Sequence, residues 1–154
     1  MNLKYELTGK GWADGNIEVN STVVNFTTSY LSDPLLDLLH SLISLIPECV
    51  PYPLKKTTFE WYDEPGRYTW KLERINNEQL SIEISNYEDT SSKSKINQHL
   101  YEVCNINDFS KTVVKELENI LKMHGIKGYK ELWVNHEFPI KEFRILKEYI
   151  DKIK

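Results

Sequence analysis

The sequence predicts an α+β fold in which an antiparallel sheet of six or seven strands packs against three helices. Residues 3–30 and 57–87 alternate polar and apolar side chains with the period of half-buried strands. Residues 33–46 and the last third of the chain instead carry apolar residues at helical spacing. Because 154 residues that are 40% hydrophobic suffice for one sizeable core, we expect residues 1–154 to form a single α+β domain.

Strands are expected first along the chain. Residues 3–8 alternate apolar and polar side chains, and the glycine-bearing stretch 9–15 should turn the chain while Trp12 packs inward. A hairpin with its turn at residues 20–21 follows. Its predicted apolar pairs are Ile17 with Val24 and Val19 with Thr22.

The first helix is predicted over residues 33–46. Asp33 can cap it, Pro34 suits the first helical position, and Pro47 stops it. Leucine and isoleucine fill about half of the helical circumference, which favours a helix lying flat against the sheet.

Residues 57–87 predict an antiparallel meander whose first turn is Glu64-Pro65-Gly66-Arg67, with proline and glycine where a type II turn needs them. The predicted inward pairs are Trp61 with Trp70, Phe59 with Leu72, Trp70 with Ile84 and Leu72 with Ile82.

The remaining chain is predicted to be mainly helical. Residues 86–95 form a polar loop and residues 100–104 a short strand. Helices follow over residues 108–124, closed by Gly125, and over residues 139–153. The predicted core residues are Leu39, Leu42, Ile46, Phe59, Trp61, Trp70, Ile82, Ile84, Val113, Leu117 and Leu121.

Glu116 is out of place among the apolar residues of the helix predicted over 108–124. Charged side chains are rarely buried without a partner. Glu116 should therefore either extend to the sheet edge or meet a buried partner such as an arginine or a tyrosine.

Charge excludes some partners and favours others. The formal net charge is −4, so we expect no attraction to nucleic acid, and no apolar run is long enough for a membrane span. Residues 1–105 hold 9 Lys and Arg against 15 Asp and Glu, whereas residues 106–154 hold 10 against 8. The strand-rich part is thus the acidic part, which would attract a basic protein partner unless it is simply a solvated surface.

The cysteines and the first residues predict a cytoplasmic protein. The chain begins with alternating polar and apolar residues instead of a basic and then apolar signal segment. Cys49 and Cys104 are expected to be inert reduced thiols, because nothing near them supplies a metal ligand or a catalytic histidine.

No motif in the sequence predicts catalysis, a metal or a cofactor. The four histidines lack ligand spacing, and no nucleophile signature is present. Asp63 and Glu64 are adjacent carboxylates at a predicted hairpin tip, where they serve either turn solubility or a binding surface.

Aromatic residues provide the other candidates for binding. Trp133 and Phe138 are too apolar for a solvated link, so the segment 128–139 should dock into the domain. His136 would then either bond a backbone group or face a ligand, and Trp12 is a further candidate for such a site.

Four phrases carry a resemblance. They are Gly9-x-Gly11-Trp12-Ala13, Ser29-Tyr30-Leu31-Ser32-Asp33, Glu64-Pro65-Gly66-x-Tyr68-x-Trp70 and Gly128-Tyr129-x-x-x-Trp133-x-x-His136-x-Phe138-Pro139. With them the chain resembles a family of small bacterial proteins of uncharacterised function, over nearly its whole length. Glu137 stands where the family pattern has proline. The resemblance implies no activity and no catalytic residue.

Two functions therefore remain open. One is a non-catalytic cytoplasmic binding protein, of an immunity or regulatory type, whose acidic sheet region captures a protein partner. The other is a small-molecule-binding protein or enzyme with a pocket at Trp12, Trp133 and His136 and a nearby carboxylate. A deep pocket with convergent polar groups would favour the second, and a flat acidic face would favour the first.

Overall fold

A computed structural model of the protein describes residues 1–91, 93 and 95–153, and its α+β fold confirms the predicted class. The strands are β1 (Asn2–Gly9), β2 (Trp12–Val19), β3 (Thr22–Ser29), β4 (Lys56–Tyr62), β5 (Arg67–Arg74), β6 (Gln79–Tyr87) and β7 (Ile96–Asn105). The helices are α1 (Pro34–Ser44), α2 (Ile106–Leu132) and α3 (Ile140–Lys152). Within the described residues, no helix combines the length and the apolar character needed to cross a membrane.

The seven strands form two antiparallel sheets, where we expected one sheet of six or seven strands. One has the order β1-β2-β3 and the other the order β4-β5-β6-β7. The edge strands β3 and β7 lie beside each other, but a side chain of β7, and not its backbone, bonds the backbone of β3. The Gln98 amide accepts from the Asn25 N–H at 3.1 Å and donates to the Asn25 carbonyl at 3.0 Å.

Two of the three predicted registers are confirmed. In the β2–β3 hairpin Ile17 faces Val24 and Val19 faces Thr22. Between β5 and β6 the pairs are Trp70 with Ile84 and Leu72 with Ile82. Alternating apolar residues decide these registers, because a shift by one residue would bury charged side chains.

The predicted register between β4 and β5 is wrong by two residues. Phe59 faces Trp70, and Trp61 faces Tyr68. The reason is that the turn occupies residues 63–66, one position earlier than the type II turn we expected, with the Asp63 N–H donating to the Gly66 carbonyl at 3.1 Å. An even shift keeps each side chain on its predicted face, so the core is unaffected.

Gly66 is required in this turn by a close backbone approach. A Cβ atom there would lie 2.3 Å from the Tyr87 carbonyl oxygen, far inside contact distance. The tip of the β4–β5 hairpin therefore packs against the end of β6.

The helices follow the prediction with one addition. Helix α1 begins at Pro34 as expected, although the Asp33 side chain makes no capping hydrogen bond. Gly125 interrupts α2 with φ 69° and ψ 175°, where we expected the helix to end, but helical structure resumes and continues to Leu132. Fully buried Tyr129 anchors this added segment, which sequence periodicity missed because it is too short to show a pattern.

The other C-terminal predictions agree in outline. Helix α3 lies within the predicted range 139–153, and β7 is longer than the strand expected over 100–104. Of the loop predicted over 86–95, Ser92 and Ser94 lie outside the described residues. Nine of the eleven predicted core residues are buried, whereas Phe59 and Leu121 are half-buried at the core margin.

Glu116 extends from α2 to the edge of the three-stranded sheet, one of the two outcomes we expected. Its carboxylate accepts the backbone N–H of Tyr5 at 2.9 Å and the side chain of Asn119 at 3.3 Å. Burial raises the pKa of Glu116, and these hydrogen bonds oppose that rise. The carboxylate thus satisfies a donor at the exposed edge of β1, which would otherwise remain open for pairing.

Replacing Glu116 tests this contact. We expect Glu116→Ala to lower the free energy of unfolding by about 1–3 kcal/mol, because the Tyr5 N–H loses its acceptor. Glu116→Gln should retain most of the stability, since its amide oxygen can still accept. Urea denaturation measures both; an equal loss in the two variants would contradict the proposed role of the oxygen atom.

Candidate functional site

Of the aromatic candidates, Trp133 is buried in the core and Trp12 lies at the surface. Trp133 is fully buried, with its ring centroid 6.2 Å from that of Tyr5 and 6.4 Å from that of Tyr129. The expected docking of the segment 128–139 is therefore present. Trp12 is 36% exposed, so the expectation that it packs inward is wrong. It is Gly11 that approaches the segment, because its N–H donates to the Leu132 carbonyl at 2.7 Å.

His136 faces a carboxylate. Its Nδ1 lies 3.7 Å from Oδ2 of Asp33, just before α1, and the two side chains are 40% and 20% exposed. Burial raises the pKa of Asp33, and the nearby His136 opposes that rise. The pair ties the segment between α2 and α3 to the start of α1.

Four buried polar atoms belong to Asp33 and to three aromatic residues near this pair. They are Tyr5 Oη, Asp33 Oδ1, Tyr129 Oη and Trp133 Nε1, and none has a hydrogen-bond partner among the described residues. The rings of Tyr5 and Tyr129 pack on Trp133, and the His136 N–H donates to the Trp133 carbonyl at 3.1 Å. Burial and the charge of Asp33 raise the pKa of both tyrosines, so the two hydroxyls lie within electrostatic reach of that carboxylate. We call Tyr5, Asp33, Tyr129, Trp133 and His136 the Asp33 cluster.

Asp63 and Glu64 lie at the tip of the β4–β5 hairpin. Glu64 is exposed and Asp63 half-buried. Burial raises the pKa of Asp63, and the Asn86 side chain, 3.5 Å away, opposes that rise. The structure thus brings Trp133 and His136 together with Asp33, since His136 lies 3.7 Å from Asp33 and its backbone N–H donates to the Trp133 carbonyl at 3.1 Å. Asp63 and Glu64 belong to a separate hairpin tip, and Trp12 follows Gly11, which contacts the same segment as Trp133.

The outer face of the four-stranded sheet carries an open concavity of about 590 Å³, which we call the outer groove. Strand pairing places Glu60, Thr69, Ser85 and His99 in one row across the four strands. The small side chains Thr69 and Ser85 form its floor, and Glu60 and His99 stand at opposite ends. Tyr87 lies along one side of the row.

Ion pairs hold the two carboxylates of the outer groove in place. Glu83 lies 3.1 Å from His99 Nε2 and 3.6 Å from Lys71 Nζ, and these two groups lower its pKa. Glu60 accepts the Tyr62 hydroxyl at 2.9 Å and lies 3.8 Å from Arg67 Nε. Both glutamates remain partly exposed, at 42% for Glu60 and 33% for Glu83, so an incoming group can reach them.

A second concavity of about 640 Å³ lies between β1 and α2. Leu3, Ile120 and Met123 form its apolar part, and Lys115 and Lys122 stand at its rim. It too is open to solvent. Neither concavity is lined by Trp12, Trp133 or His136.

The sequence analysis missed most of these residues. Glu60, Glu83 and His99 lie on outward positions that the period-two pattern of β4, β6 and β7 already specifies, so attention to the outer face would have found them. The meeting of Tyr5 with Tyr129 has no such signal, because it depends on how α2 packs against β1.

Comparisons with protein-family models, curated proteins and solved structures gave no match to this chain. In the part of the chain that the structure describes, no three or more His, Cys, Asp and Glu side chains are grouped to hold a metal ion.

Truncation of Trp133 tests its docking. We expect Trp133→Ala to lower the free energy of unfolding by about 3–5 kcal/mol, because it removes a fully buried ring. Trp12→Ala should cost clearly less than Trp133→Ala, because about a third of the Trp12 surface already lies in solvent. Thermal and urea denaturation measure both variants, and a Trp133→Ala protein that melts with the parent would show that the segment is a linker.

The pH dependence of stability tests the environment of Asp33. Its raised pKa means that the folded chain binds the proton more tightly than the unfolded chain does. This contribution to stability is present below the pKa of Asp33 in the unfolded chain. It is lost as the pH rises through the pKa of Asp33 in the folded chain. Relative to Asp33→Asn, the parent should therefore lose free energy of unfolding as the pH rises from about 3 towards neutrality.

Urea denaturation across this range measures the difference between parent and Asp33→Asn. The variant Glu131→Gln, which neutralises an exposed carboxylate on α2, controls for net charge. If the parent instead gains free energy of unfolding relative to Asp33→Asn as the pH rises, Asp33 is stabilised as the anion and the prediction is wrong.

Proposed function

We propose that the protein is a non-catalytic binding protein whose outer groove receives a basic segment of a partner protein. The observation that carries this proposal is the outer groove itself, an open concavity with two reachable carboxylates on a sheet face whose lining comes only from strand residues of the described chain. An open polar surface of this kind suits a protein segment better than it suits an enclosed small molecule.

The partner segment would be basic because its cations could replace the groups that now pair with Glu83. Lys71 and His99, which pair with Glu83, are themselves 52% and 49% exposed. Exposed ion pairs contribute little to stability, so an incoming lysine or arginine can replace them at low cost. A segment leaving the outer groove past Glu60 would next meet Asp63 and Glu64 at the hairpin tip.

Large side chains around the outer groove, two of them tyrosines, supply contact area for a partner. Tyr101 is 57% exposed in the same cross-strand row as Glu83, and Ile96 is 48% exposed beside Tyr87. The Arg67 guanidinium lies 4.3 Å above the centroid of the Tyr87 ring. Tyrosine and arginine are enriched among the residues that dominate binding energy at protein interfaces.

A cytoplasmic location and an immunity or regulatory role belong to the same proposal. Both cysteines are free, and burial raises the pKa of the Cys104 thiol to about 11. Unreactive free thiols are typical of proteins in reducing compartments. A role in neutralising or regulating a basic partner is consistent with the two reachable carboxylates of the outer groove and the acidic hairpin tip beside it.

The alternative, a small-molecule site or enzyme at Trp12, Trp133 and His136, has one supporting observation. Asp33 supplies the carboxylate beside His136 that such a site requires. Trp12 is 36% exposed and lines neither of the two concavities, so the structure gives no enclosed pocket that includes it among the described residues.

Peptide binding tests the proposal. We expect a labelled nonapeptide of lysine, arginine and glycine to shift the backbone amide NMR signals of Thr69, Ser85 and His99, and an all-glutamate nonapeptide not to do so. The double variant Glu60→Gln/Glu83→Gln should bind the basic peptide about three- to tenfold more weakly, because it removes two exposed charge contacts.

The matched control is Glu131→Gln/Glu148→Gln, which makes the same charge change on α2 and α3. It should bind like the parent, apart from a small effect of net charge. If both double variants lose affinity equally, attraction is non-specific and the outer groove is not the binding site.

A further inference from the structure

We propose that the Asp33 cluster is an interior binding site for a small uncharged molecule that both donates and accepts hydrogen bonds. That molecule is either water or the hydroxyl or amide group of a small solute. The site is separate from the outer groove, and the proposal does not depend on the partner proposed there.

The first support is the concentration of unpartnered polar atoms at one junction. Tyr5, Tyr129 and Trp133 are each at least 97% buried, and their polar atoms have no partner among the described residues. They come from β1 and the last turns of α2, and Asp33 adds an unpartnered oxygen at the start of α1. Buried polar groups in proteins are nearly always hydrogen-bonded, to protein or to an enclosed molecule.

The donor and acceptor types define the chemistry of the guest. The Trp133 indole can only donate, and the ionised Asp33 carboxylate can only accept. The two tyrosine hydroxyls can do either. An ammonium group cannot accept from the indole, and a carboxylate cannot donate to Asp33. A phosphate anion would bring a second negative charge against the Asp33 carboxylate. A neutral hydroxyl, amide or water satisfies both the indole and the carboxylate.

His136 lies at the rim of the cluster. It is 40% exposed and lies against the partly exposed side of Asp33, whereas Trp133 and Tyr129 are fully enclosed. The His136–Asp33 side is therefore the part of the cluster nearest to solvent.

Removing one hydroxyl distinguishes an occupied cluster from a dry one. If Tyr129 Oη holds a guest, Tyr129→Phe loses that hydrogen bond, and we expect a lower urea midpoint than in the parent. If the hydroxyl is dry and unpartnered, its removal relieves a buried polar group, and the midpoint stays equal or rises. The control Tyr52→Phe, at a side chain 88% exposed, should match the parent.

A high-resolution crystal structure of the full chain provides the second measurement. The proposal expects electron density within hydrogen-bond distance of Tyr129 Oη and Asp33 Oδ1 in the parent, and loss of that density in Tyr129→Phe. Absence of such density in the parent, or a midpoint of Tyr129→Phe at or above that of the parent, would overturn the proposal.

Titration with acetamide and with methanol separates the two sources of the guest. If the guest is a solute group, either probe raises the melting temperature of the parent more than that of Tyr129→Phe, as linkage requires. If the density is present and neither probe has a differential effect, the guest is water.

Discussion

The packing of Trp61 joins the two sheets and the first helix. Its ring centroid lies 4.7 Å from that of Trp70 in its own sheet and 5.1 Å from that of Phe26 in the other. Its Nε1 donates to the Pro34 carbonyl at 3.1 Å, which fixes the start of α1 over the same point. A fully buried ring with its one polar atom satisfied gains contact area without an unpaired donor. Asp33, the residue before Pro34, is thereby held at the edge of the core.

Strand β3 determines which surfaces remain free. It contacts β7 through Asn25 and Gln98, and it reaches the other edge of the four-stranded sheet where Thr28 Oγ1 lies 3.4 Å from the Tyr62 carbonyl. Between these points the Tyr68 hydroxyl donates to the Asn25 carbonyl at 3.3 Å. The inner face of that sheet is therefore covered by β3 and α1, and the outer face is left for a partner. The position of the outer groove follows from this covering.

Local patterns could predict the elements and two registers, because each depends on which residues alternate or recur at helical spacing. The β4–β5 register could not be predicted, since it depends on a turn at residues 63–66 whose geometry is set by the close approach of Gly66 to Tyr87. The division into two sheets could not be predicted either. It depends on whether Gln98 bonds Asn25 with its side chain or β7 pairs with β3 through the backbone, and both arrangements have the same hydrophobic pattern.

The candidate sites differ in predictability for the same physical reason. The outer groove is a row of outward positions on strands whose alternation is visible in the sequence, so Glu60 and His99 could have been placed on one face. The Asp33 cluster joins residues from β1, α1 and the far end of α2, more than one hundred positions apart at the extremes. Only tertiary packing brings Asp33 within electrostatic reach of Tyr129, and no local pattern records that packing.

The two sites also stand in opposite energetic situations. In the outer groove each carboxylate is paired yet partly exposed, so exchanging Lys71 or His99 for another cation costs about 1 kcal/mol or less. In the Asp33 cluster the polar atoms are buried, and each one left unpaired costs about 1–3 kcal/mol. A partner that exchanges readily is therefore expected at the groove, whereas a guest of the cluster contributes to the stability of the folded chain itself. The proposed partner of the groove would thus bind reversibly, whereas the proposed guest of the cluster would link the start of α1 to the end of α2.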